Sequence, residues 1–118
     1  MLRFGSEVLA AVRDLETTLR RSRQLIDVDF HEHRKEAIQQ RREVSARLAQ
    51  LSAAAGTIED PGVQHAFRNE FSKLRSAMAL YQASWPVVSI DHDNPEYCAS
   101  LEAMRSAYGR FFDWIRRQ

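Results

Sequence analysis

The feature that most constrains this chain is a gap: between Gly5 and Gly56 there is neither a proline nor a glycine. Those two residue types interrupt helices, one by lacking a backbone donor and the other by its conformational freedom. The whole stretch is therefore permitted to be helical, and its apolar residues agree. Val8, Val12, Leu15, Leu19, Ile26, Phe30, Ala37, Val44, Leu48 and Leu51 fall within a sector of about 60° on a wheel turning about 100° per residue. A strict heptad drifts by about 20° per repeat and would lose that alignment. The simplest reading is one continuous helix from Ser6 to Ala54, roughly 70 Å long at 1.5 Å per residue, with Gly56 as its C-cap.

The rest of the chain is punctuated at Asp60-Pro61-Gly62, Trp85-Pro86 and Asn94-Pro95. Asp60 and Asn94 each precede a proline, which is the order of an N-cap followed by a first helical residue that needs no hydrogen bond. A second helix from Pro61 presents Val63, Phe67, Phe71, Leu74, Met78, Tyr81 and Trp85 on one face. Pro86 disfavours helical geometry at the residue before it and ends that helix. The segment "PVVSIDHD" reads as extended or irregular. A third helix from Pro95 buries Tyr97, Leu101, Met104, Tyr108, Phe111, Phe112 and Ile115. The expectation is an all-α single helical domain over residues 1–118, in which two shorter antiparallel helices pack on one long N-terminal helix.

Two helices of half the length cover only half of the first. Folded back on its second half, they leave Val8, Val12, Leu15 and Leu19 bare, and an exposed apolar stripe marks an interface. The sequence thus predicts a homodimer or a protein partner at those four residues. Acidic side chains such as Glu7, Asp14 and Glu43 lie on one flank of the stripe, and arginines such as Arg13, Arg20 and Arg41 on the other, a pattern that favours parallel self-pairing. The alternative is a break near Asp27 to Asp29, where Asp29 and Glu32 resemble a capping box. That break would give four helices of similar length in an up-down bundle.

Composition excludes several classes. The 17 basic and 16 acidic residues nearly cancel, so there is no strong field to draw in nucleic acid or an anionic membrane. No uncharged stretch is long enough for a membrane span, and the short apolar patch at the N-terminus is interrupted by Glu7 and Arg13, unlike a secretion signal. Cys98 is the single cysteine, which excludes an internal disulfide and any Cys-rich zinc module and fits a reducing cytoplasm. Arginine outnumbers lysine fifteen to two, as GC-rich bacterial genomes favour.

The densest cluster of chemistry is "DFHEHRKEA", Asp29 to Ala37. His31 and His33 are two residues apart and point to nearly opposite sides of a helix, so they cannot share a metal. His33 stands beside the apolar stripe with Asp29 and Glu36 one turn on either side, a polar layer in a packed helix. A metal-binding bundle needs Glu-x-x-His pairs from several helices, and neither that spacing nor His-x-x-x-His occurs. His31, Glu32, His33 and Arg34 stand in the H-E-x-R order that resembles the phosphoacceptor box of histidine kinase dimerisation domains. The resemblance covers four residues; it implies that His31 is a nucleophile and that Glu32 assists its deprotonation. Glu36 replaces the proline that usually follows the box. His65 through Asn69 resembles the His-x-x-Lys-Gly motif of histidine-containing phosphotransfer bundles, with Arg68 in the phosphate-neutralising role and Asn69 where glycine is expected.

The remaining candidates have simpler accounts. In "DHDNPE", Asp91 to Glu96, Pro95 and Glu96 stand where a calcium loop needs a ligand and a glycine, so helix capping explains the run. Cys98 near the start of the third helix reads as buried or half-buried. Trp114 lies off that helix's apolar stripe and reads as an exposed anchor for a partner. No phosphate-binding glycine loop or nucleophile elbow occurs. The sequence therefore predicts a non-enzymatic cytoplasmic protein-binding module without a cofactor, an adaptor, regulator or chaperone-like unit. The alternatives are a histidine phosphotransfer protein using His31 or His65, and a metal-binding helical bundle.

Overall fold

The computed structural model describes residues 4–26 and 34–118, and these are all-α, without a strand among them. The described residues form four helices: α1 (Ser6–Ile26), α2 (Arg34–Ala55), α3 (Pro61–Ser84) and α4 (Pro95–Arg116). Their lengths are 21, 22, 24 and 22 residues, or roughly 32 to 36 Å at 1.5 Å per residue. The chain divides into two compact units, Met1–His65 and Ala66–Gln118.

The expected continuous helix is not formed. α1 ends at Ile26, α2 begins at Arg34, and the two pack against each other. The Gln50 amide donates to the Asp14 carboxylate at 3.2 Å across a sequence separation of 36. In one straight helix those residues would lie roughly 54 Å apart. Asp14 sits in the first half of α1 and Gln50 near the end of α2, so the helices are antiparallel. Four helices of similar length is the count that the alternative required.

The reversal also overturns the bare stripe. Val8 and Leu15 are 0% exposed, Leu19 5% and Val12 8%, so all four expected interface residues are core residues of this one chain. Ala37, Val44 and Leu51 are buried on α2. Phe4, Ala11, Ala54, Ala55 and Ile58 join the core without having been singled out by the wheel. Thr18 is a polar residue in this core, 2% exposed, and its hydroxyl donates to the Asp14 carbonyl at 2.9 Å. Bonding back one turn lets a threonine sit in an apolar surround without an unpaired donor.

α2 stops in three tightening bonds, Gly56 to Ala53, Thr57 to Ala54 and Ile58 to Ala55. Gly56 does not adopt the left-handed cap expected of it, since no described glycine has positive φ. Instead the Gln64 amide reaches back to the Ala55 and Ile58 carbonyls at 3.2 Å each, satisfying acceptors that a helix end leaves open. The two proline-marked starts are as the sequence predicts. The Asp60 carboxylate accepts from the Gly62 and Val63 amides, and the Asn94 side chain accepts from Glu96 and Tyr97.

In the second unit, α3 and α4 are antiparallel and held by rings. Phe111 packs edge-on to Phe67 at 5.8 Å and tilted to Phe71 at 5.9 Å. At the other end the Tyr81 and Tyr97 hydroxyls share a buried 2.8 Å hydrogen bond, and Trp85 stands edge-on to Tyr97. The apolar faces read from the sequence are the buried ones, except that Val63, Trp85 and Tyr108 are half-buried. The segment expected to be extended or irregular contains a 3-10 turn over Val87–Ser89, closed by Ser89 donating to Pro86.

Leu15→Ala is expected to lower unfolding stability in urea by about 2–5 kcal/mol, the range for truncating a buried leucine, while the solution mass stays that of the parent. Asn94→Ala is expected to cost about 1 kcal/mol in the same assay through loss of the α4 cap.

Candidate functional site

Beside the ring contacts that join α3 and α4, residues of both helices line a groove. α3 contributes Glu70, Lys73 and Ala77, and α4 contributes Ala103, Ala107 and Arg110, with the Phe111 ring as part of the lining. The result is an open groove of about 450 Å³. Lys73 and Ala77 are four residues apart on α3, as are Ala103 and Ala107 on α4, so each pair projects from one helix face. Phe111 is buried, whereas Lys73, Ala103 and Arg110 are exposed. The groove therefore has an alanine and phenylalanine lining and a charged rim.

The Lys73 ammonium lies 3.1 Å from the Glu70 carboxylate, one turn back on the same wall. A surface pair of this kind contributes little to stability, but it leaves a defined pattern of charge along the groove. Two turns beyond Lys73 on the same side of α3 stands Leu80, which is 68% exposed. Two other large apolar side chains are well exposed, Ile38 on α2 and Val88 in the 3-10 turn.

The residues singled out in the sequence do not assemble at this groove. Val8, Val12, Leu15 and Leu19 are buried. Trp114 is half-buried, with its ring 6.3 Å from that of Phe67, so it is largely packed within the α3/α4 pair instead of standing free as an anchor. His31 and Glu32 lie outside the described residues, as do Asp29, Phe30 and His33 of the expected polar layer and apolar stripe. His65 and Arg68 are both exposed on α3, three residues apart.

Cys98 is exposed, which corrects the expectation of a buried thiol. Its Sγ donates to the His92 carbonyl at 3.2 Å, and the His92 ring stands edge-on to Tyr97. The acidic run before α4 is used for local turns, with Asp91 accepting from the Asp93 amide and Asn94 capping the helix. Among the described residues no three His, Cys, Asp or Glu side chains converge as a metal site, and no helix is long and apolar enough to cross a membrane.

Sequence reading missed the groove because alanine carries no chemical signature. The available signal was geometric: Ala99, Ala103 and Ala107 recur every fourth residue beside the aromatic face of α4. No family model matches this chain, nor does a curated protein or a solved structure.

In the folded protein, Cys98 is expected to react with one equivalent of a maleimide without denaturant. Labelling that required urea would place the thiol in the interior.

Proposed function

We propose that this chain is a non-enzymatic cytoplasmic protein-binding module, an adaptor or regulator, that docks a helical segment in the α3–α4 groove. The groove itself carries the reading. Its lining of alanine with one phenylalanine permits close approach of a helix backbone, and a helix laid in an apolar groove is a recurrent mode of recognition. The Glu70, Lys73 and Arg110 rim supports register and partner choice, since rim charges govern orientation and encounter more than affinity. Leu80 extends the apolar surface beyond the groove.

A photoreactive amino acid placed at Ala103 or Ala107, with the exposed Ser45 on α2 as the control position, tests this. The expected result is an adduct from the groove positions, mapped by mass spectrometry to one helical segment and lost when Ala77→Arg fills the groove in a chain whose circular dichroism is unchanged. Equal adducts from Ser45, none from the groove, or adducts indifferent to Ala77→Arg would sink the reading.

A further inference from the structure

We infer that the segment docked on the α3–α4 face is the same face of a second copy of this chain, laid antiparallel about a two-fold axis between Ala103 and Ala107; this rests on the docking reading above. The argument starts from the charges of α4. Glu96 near its start and Arg110 and Arg117 near its end are all exposed. At about 100° per residue they share one sector of the helix with Ala103 and Ala107.

A two-fold rotation perpendicular to the helix exchanges its ends. It sets Ala103 against Ala107 of the partner subunit and brings Glu96 to the level of position 114, three residues from Arg117 of the partner subunit, twice over, and side chains that lean towards each helix N-terminus close that distance. A parallel arrangement would place the basic ends side by side. The same charge order also suits the macrodipole of α4 alone, and the charge exchange below separates the two roles.

Shape agrees with charge. Helices that meet through alanine approach to about 8 Å between axes. The α3 and α4 levels are matched, because the Phe67–Phe111 and Tyr81–Tyr97 contacts of the antiparallel pair set Ala77 near the level of Ala103 and Glu70 near that of Arg110. The same rotation therefore carries Leu80, 68% exposed, over the Glu70–Lys73 wall of the partner's groove. An isologous contact is self-complementary in this way and closes at two copies.

The test combines mass and cross-linking. In a Cys98→Ser background, light scattering is expected to show a dimer below about 1 mM, the weak end of specific association. An equimolar mixture of Ala103→Cys and Ala107→Cys chains is expected to oxidise mainly to the mixed disulfide, because facing Cα atoms must come within about 4.4–6.8 Å. Arg117→Glu is expected to weaken the dimer about tenfold, and the added exchange Glu96→Lys to restore it.

A monomer throughout that range overturns the proposal. So does a dimer that forms no excess of mixed disulfide, or a charge exchange that does not restore association. If the chain is monomeric while Ala103 still yields a groove-dependent adduct with another protein, self-pairing fails and the docking module stands; if the adduct is absent too, both fail.

Discussion

The second unit depends on the ring contacts that space α3 and α4. Phe67, Phe71 and Phe111 fill the core side of the pair, and the Tyr81–Tyr97 hydroxyl bond fixes its far end. Aromatic side chains combine large buried area with preferred edge and tilted geometries, and the alanines on the neighbouring flank, Ala77, Ala103 and Ala107, line the groove beside them. Its charged rim follows from where Glu70, Lys73 and Arg110 fall on the two helices.

The first half shows how an apolar pattern can be correct and still mislead. Every described member of the N-terminal stripe whose side chain is placed is buried, apart from the half-buried Leu48. What the pattern cannot reveal is the reversal. Buried Leu19 on α1 and buried Ala37 on α2 are 18 residues apart, which is five turns at about 3.6 residues per turn. The stripes of α1 and α2 therefore keep the phase they would have in one helix. Neither glycine nor proline marks the place, and only the length mismatch with the other helices and the capping-box order of Asp29 and Glu32 pointed to four elements of similar size.

Elsewhere legibility followed chemistry. The Asp60 and Asn94 starts could be read because a capping oxygen followed by proline has one dominant local use. The buried faces of α3 and α4 could be read because aromatic residues recur at three- and four-residue steps. Trp114 and Cys98 were misplaced for a shared reason, since whether a residue at the edge of a helical stripe is covered depends on its neighbours in space. Trp114 finds Phe67, whereas Cys98 one position past Tyr97 remains outside. The groove was the least legible feature because it consists of what small side chains fail to fill.

The boundary between the two compact units falls after His65, inside α3 and without a loop of its own. Proteases cut where several residues can leave their hydrogen bonds and enter an extended conformation, and a continuous helix at the junction resists that. The nearest break in helix is the Gly56–Asp60 turn between α2 and α3, and a cut there would leave α3 whole but part its first turn from the α1–α2 unit. The two cores can be described apart, yet one helix belongs to both.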